Sequence, residues 1–158
     1  TAVSMSKYHA CWLNKQGQPD CEGWLTHSWS PETGYEDGWG LATTPAGVEL
    51  GSISTGLMHT CGLDPDGTVI CWGDDSYGQS SAPEGRFTSV EAGGYHSCGI
   101  RGSGELECWG WDYFGQATPP SGVGWLQVVS GRWHSCALDA NSELRCWGAN
   151  ESGQLSPH

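Results

Sequence analysis

Apolar residues fall in short bursts separated by glycine-rich punctuation. Phe87 to Ala92 and Trp125 to Val129 each read as an apolar strand running into glycine, at Gly93-Gly94 and at Gly131. After each comes a segment bounded by two cysteines with a turn signal midway. The turn signals are Asn14-Lys15-Gln16-Gly17, Asp64-Pro65-Asp66-Gly67, Arg101-Gly102-Ser103-Gly104 and Asp139-Ala140-Asn141-Ser142. A type I turn closed by a left-handed residue in a G1 bulge wants glycine in the fourth place, and only Ser142 departs from that. The hairpin this turn builds sets Asp64 opposite Thr68. Counting outward, Leu63 faces Val69, Ile100 faces Leu106, Leu138 faces Leu144 and Leu13 faces Pro19. The cysteine pairs are then of the non-hydrogen-bonded kind, which also tolerates Pro19 because no ladder bond is asked of it.

That register predicts Cys11 opposite Cys21, Cys61 opposite Cys71, Cys98 opposite Cys108 and Cys136 opposite Cys146, each pair ten positions apart. Their sulfurs share a face at a bridgeable separation, so four disulfides within hairpins are expected. A zinc site built from the His-x-Cys-x9-Cys pattern would draw three ligands per copy at a spacing unlike that of zinc modules. The bridge is the better explanation, and it places the chain in an oxidising compartment: extracellular, periplasmic or cell-surface.

The bursts belong to a repeat. Tyr95-His96-Ser97-Cys98 through Cys108-Trp109-Gly110 to Gly115-Gln116 aligns with Met58-His59-Thr60-Cys61 through Gly78-Gln79 and with Trp133-His134-Ser135-Cys136 through Gly153-Gln154. The histidines step by 37 and 38 residues. A divergent copy opens the chain at Tyr8-His9-Ala10-Cys11, with Cys21-Glu22-Gly23 in the second half. His9 precedes His59 by 50 residues, and the excess is an insertion over 25–39. The repeats run about 1–49, 50–86, 87–124 and 125–158 in one all-β domain. Tandem units of this length with three or four short strands predict a small β-propeller of four blades. The count is almost integral, since His158 aligns with Pro83 and Thr1 with Thr88. That favours a ring closed by its own four blades over ends that dock on other copies.

Composition narrows the function. With 18 acidic residues against six Lys plus Arg, the net charge of -12 offers no cationic surface for nucleic acid or anionic lipid. No apolar run is long enough to span a membrane. Thr1 opens the chain without an initiator Met, which reads as a mature, processed form or a trimmed one.

Most chemically suggestive residues repeat, and repetition argues for structure. His9, His59, His96 and His134 hold one position in all four copies, which predicts a ring hydrogen bond to backbone of the neighbouring blade. Ser97 and Ser135 beside them do not make a catalytic constellation, because a nucleophile needs one local site. Trp72, Trp109 and Trp147 are expected to pack blades together. Asp75, Asp112 and Asn150 are expected to hydrogen-bond the loop ending in Gly-Gln. Asn150-Glu151-Ser152 is also a possible glycosylation acceptor. Asp64 with Asp66 and Asp74 with Asp75 could hold calcium, but Arg101 and Ser103 break the first pair as a repeated site. No metal or cofactor is expected.

Trp24, Trp29, Tyr35 and Trp39 lie in or beside the insertion, and Trp111 and Tyr113, followed by Phe114, occupy another loop. Such aromatics stack on sugars or anchor proteins, or fold back to bury themselves over the ring.

Gly-Gly-Tyr-His-Ser-Cys at 93–98, followed by Cys-Trp-Gly-Trp-Asp-Tyr-Phe-Gly-Gln at 108–116, resembles the repeat of the regulator of chromosome condensation family. The resemblance implies a β-propeller. It is closest in style to short-repeat secreted bacterial members, and the paired cysteines, which nuclear members lack, point to export. The expected function is a secreted, non-catalytic module that recognises a protein or glycan through a Trp-rich loop face. The alternative is a structural subunit that assembles head to tail with copies of itself into a fibre or coat.

Overall fold

A computed structural model describes residues 2–23 and 40–155, and the backbone of Ser28–Ser30 and Gly34–Glu36. Four three-stranded antiparallel sheets follow one another along the chain. The first holds β1 (Val3–Met5), β2 (His9–Leu13) and β3 (Pro19–Gly23). A two-stranded ribbon, β4 (Ser28–Ser30) and β5 (Gly34–Glu36), lies in the insertion. The second sheet holds β6 (Ser52–Thr55), β7 (His59–Leu63) and β8 (Val69–Gly73). The third holds β9 (Phe87–Ala92), β10 (His96–Arg101) and β11 (Leu106–Gly110), and the fourth β12 (Trp125–Ser130), β13 (His134–Asp139) and β14 (Leu144–Gly148). The chain is an all-β propeller-type array of four blades.

Each blade is organised by its hairpin. Cys61 pairs with Cys71, Leu63 with Val69, Ile100 with Leu106, Leu138 with Leu144 and Leu13 with Pro19. All four expected disulfides form, with Cα–Cα distances of 4.0 to 4.1 Å. That is the close approach of a non-hydrogen-bonded pair. The turn chemistry is also as expected: Gly67 and Gly104 take φ of 83° and 86°, and Ser142 is forced to 63° in the same place. The Asp64 N–H donates to the Thr68 carbonyl, and Asp64 Oδ1 accepts from the Asp66 and Thr68 N–H groups. Those bonds, Thr68 first, hold the Asp64 carboxyl below its usual range.

The core lies between blades as much as within them. Cys61, Leu63 and Val69 of the second blade pack on Phe87, Val90 and Ala92 of the third. Cys98 and Ile100 of the third pack on Trp125, Val128, Ala137 and Trp147 of the fourth. Cys11 and Leu13 of the first pack on Leu50 and Trp72. Each blade therefore offers a leading face to its successor and takes its predecessor on the other.

The expectation of a closed four-blade ring is corrected here. Among the described residues, substantial packing joins consecutive blades and no comparable packing joins the fourth to the first. Val129 and Leu144 on one terminal blade, and Val3 and Met5 on the other, are exposed. The near-integral repeat count is compatible with closure but does not enforce it, because closure needs complementary terminal faces.

Candidate functional site

The first strands converge at their C-terminal ends. Met5 to Lys7, Thr55 to Leu57, Ala92 to Gly94 and Ser130 to Arg132 line one cleft of about 360 Å³. The residues immediately beyond, together with the loops after each Cys-Trp-Gly step, form a rim on the same side.

Beneath that rim runs a chain of buried latches. His9 Nε2 meets Thr60 Oγ1 at 2.7 Å, His59 Nε2 meets Ser97 Oγ at 2.8 Å, and His96 Nε2 meets Ser135 Oγ at 2.7 Å. The histidines do bond the neighbouring blade as expected, but to a side-chain hydroxyl rather than to backbone. Ser97 spends its proton on the Gln79 carbonyl at 2.9 Å, so it must accept from His59. That fixes His59 as the Nε2–H tautomer and leaves Nδ1 a bare lone pair, which has no partner. Burial above all, with the nearby His96 and His9 next, lowers the His59 pKa from 6.5 to about 3. Burial and then His134 lower that of His96 to about 4. Both rings are neutral and fully enclosed, as is Ser97. With no carboxylate on Nδ1 and no access, these Ser–His pairs are structural fastenings. The space they need is reserved by glycine: a Cβ on Gly56 would sit 2.6 Å from His59 Cε1.

Tryptophan supplies a second fastening. Trp109 Nε1 donates to the Gln79 carbonyl at 3.0 Å and Trp147 Nε1 to the Gln116 carbonyl at 2.9 Å. Trp72 packs on the first blade without such a bond. The loop residues behave as expected. Asp75, Asp112 and Asn150 each accept, through Oδ1, the backbone N–H five residues on, at Ser80, Ala117 and Leu155. Gln79 and Gln116 lock the same loops by accepting the Tyr77 and Phe114 N–H groups at 2.9 Å.

These rigid loops carry the aromatic face. Trp111 stacks on Tyr113 at 5.9 Å and meets Phe114 at 5.6 Å and Trp133 at 4.7 Å, both edge-on. Tyr95 stacks on Trp133 at 5.2 Å and touches Tyr77 at 5.7 Å. Tyr77, Tyr95, Trp111 and Trp133 line a cleft of about 150 Å³. Arg132 lies over the Trp133 ring at 4.9 Å. The outer members are open to solvent, Tyr113 at 78% and Tyr77 at 53% exposure. One continuous patch of six rings therefore spans three blades.

Of the six ligand-binding candidates, Trp111 and Tyr113 come together in this patch. Trp24 and Trp39 lie outside the described residues. Trp29 and Tyr35 face each other in the β4–β5 ribbon, and their rings lie outside what is described. Sequence reasoning missed Tyr77, Tyr95 and Trp133. The available signal was positional: Tyr95 and Trp133 precede the repeat histidine, and Tyr77 and Phe114 precede the loop glycine, so all four project from equivalent points. Among the described residues no group of three or more His, Cys, Asp or Glu could hold a metal.

The model of the regulator of chromosome condensation (RCC1) repeat matches residues 52–79, 87–116 and 125–154. The chain belongs to the regulator of chromosome condensation repeat family. Its first blade lies outside those matches, in keeping with its divergent sequence. Among solved structures of RCC1-like propellers, the chain resembles the entire ectodomain of the receptor kinase CR4 from Physcomitrella patens. Identity is 31% and TM-score 0.74, over 94% of this chain and 40% of that one. It resembles the CRINKLY WD40 ectodomain of the Arabidopsis thaliana receptor kinase ACR4 at 22% identity and TM-score 0.70, over 94% and 49%. Prp20p from Saccharomyces cerevisiae superposes with TM-score 0.77 at 16% identity, over 98% and 44%. The chain spans less than half the length of these relatives. No curated protein matches the chain.

Proposed function

We propose that this chain is an extracellular, non-catalytic interaction module whose protein partner docks on the six-ring rim of Tyr77, Tyr95, Trp111, Tyr113, Phe114 and Trp133. The carrying observation is that these rings contact one another on hydrogen-bonded loops yet leave Tyr77 and Tyr113 open. Rings held in place before binding lose little entropy when a partner arrives, and Tyr and Trp dominate the energetic centres of protein interfaces. Ring centroids 4.7 to 6.3 Å apart leave no room for a side chain between them, so the patch acts as a platform. The net charge of -12 favours a partner with a basic margin. Four disulfides and the likeness to receptor-kinase ectodomains support an extracellular setting. At the level of sequence, Trp24, Trp29, Tyr35 and Trp39 belong to the same proposal.

The test presents the immobilised chain and its Tyr113→Ala variant to a panel of extracellular proteins and to a glycan array. The proposal expects protein ligands of the parent that the variant loses, with melting temperature unchanged. Binding that survives Tyr113→Ala places the interface elsewhere. Ligands confined to the glycan array replace the protein partner with a sugar.

A further inference from the structure

Two of the six Lys and Arg residues of this acidic chain stand at one repeat position, two residues before the histidine. Lys7 holds it in the first blade and Arg132 in the fourth, with Leu57 and Gly94 at that position in the blades between. Both cations are exposed, and both line the cleft of about 360 Å³ at the ends of the first strands. All four blades contribute to that cleft, so the two charges belong to its outermost walls.

Each cation is held by a ring instead of a carboxylate. Lys7 Nζ lies 4.9 Å from the centre of the Tyr8 ring, and the Arg132 guanidinium 4.9 Å from that of Trp133. The arrangement is the same in both blades, because each ring follows its cation directly and precedes the repeat histidine. Such stacking steers the side chain without neutralising it. Among the described residues neither cation forms an ion pair, whereas Arg101 pairs with Glu107 and Arg145 with Glu143.

The cleft holds nothing that would cancel these charges. Its polar side chains come from Ser6, Thr55, Ser130 and the two cations, with no acidic residue among the described lining. Glu91, next to Ala92 in the chain, turns its carboxylate to the Ser54 hydroxyl at 2.9 Å. The floor is bare backbone. A Cβ on Gly56, Gly93 or Gly131 would sit 2.5 to 2.6 Å from Cε1 of the histidine three residues on, so no side chain fills the space. Carboxylates farther off than about 8 Å are largely screened at physiological salt, which leaves the local charges to decide what enters. Arg132 also joins this cleft to the rim, since Trp133 belongs to the six-ring patch.

We infer that the cleft is an anion site that takes an acidic side chain, Asp or Glu, of the protein docked on the aromatic rim. The site stands on its own geometry, and its assignment to a protein side chain rests on the rim as docking face. A partner then meets the acidic chain with basic residues at its margin and a carboxylate at its centre, where Arg132 and Lys7 supply charge-assisted hydrogen bonds.

The experiment uses the full oxidised chain, labelled with nitrogen-15, and the blocked peptide acetyl-Gly-Glu-Gly-amide beside its Gln counterpart. The Glu peptide is expected to shift the amide signals of Gly56, Gly93, Gly94 and Gly131 saturably, and the Gln peptide to leave them in place. The double variant Lys7→Gln with Arg132→Gln should weaken Glu-peptide binding by about tenfold or more. Arg132→Lys, which keeps the charge, should retain most of it. No saturable shift with the Glu peptide overturns the inference, as do equal shifts with both peptides. So does unchanged affinity in a double variant with native circular dichroism and four bridges. Tyr113→Ala separates this inference from the rim: it should leave Glu-peptide binding unchanged. Protein ligands lost on Tyr113→Ala together with no peptide binding would refute the anion site and leave the rim standing. Peptide binding by a chain whose protein ligands survive Tyr113→Ala would keep the anion site and overturn its assignment to a partner on the rim.

Discussion

The buried His59–Ser97–Gln79 relay shows how one side chain can tie two strands and a loop. Removing the Ser97 hydroxyl leaves the His59 Nε2–H without a partner in a closed interior, and the Gln79 carbonyl with the Trp109 indole alone. Ser97→Ala should therefore cost about 1–3 kcal/mol by denaturant unfolding, with no change in the disulfide pattern. The same burial makes the junction acid-sensitive. Below pH 6.5 the unfolded chain takes up protons on these histidines, while folded His59 and His96 stay neutral down to about 3 and 4. Stability from this source is complete above pH 6.5 and falls progressively toward pH 3–4, because there the unfolded state binds more protons. The melting temperature should decline over that window, and His59→Gln, which does not titrate, should flatten the decline. Ser142 makes the opposite case. Its φ of 63° is the left-handed conformation that glycine holds in the other three hairpins. Ser142→Gly should raise stability by about 0.5–1 kcal/mol in a calorimetric melt.

The hairpin is the element that the sequence specifies most completely. Two cysteines, a four-residue turn and glycine in the bulge leave one register, and Leu63 opposite Val69 or Leu13 opposite Pro19 follows by counting. The latch was half legible. Its repetition marked His59 as structural, and its direction toward the neighbouring blade was inferable. Its acceptor was not, because which residue of the next blade lies within 3 Å depends on how blades are offset. The disulfide is the strongest fastening within the element. Replacing Cys61 and Cys71 together by alanine closes no loop in the unfolded chain and should cost about 2–3 kcal/mol, read from the denaturation midpoint.

At the scale of the molecule, what was least legible was what lies between distant repeats. Near-integral repeat count suggested closure, whereas the outcome turns on whether the terminal faces complement each other, which counting repeats does not give. The aromatic rim was half seen for a similar reason. Trp111 and Tyr113 are adjacent in sequence and conspicuous, but Tyr77, Tyr95 and Trp133 join them only once three blades are stacked. Two classes of aromatic result. Trp147 is buried between blades and bonded to Gln116, whereas Tyr77 and Tyr113 stand on the rim. If the first class serves folding and the second serves binding, a calorimetric comparison of Trp147→Ala with the rim variant Tyr77→Ala/Tyr113→Ala separates them. Trp147→Ala should lose about 3–5 kcal/mol, as deletion of a buried aromatic does, and the rim variant should stay within about 0.5 kcal/mol of the parent. A rim variant that loses as much as Trp147→Ala would mean that those rings are core, and the interaction face would have to be given up.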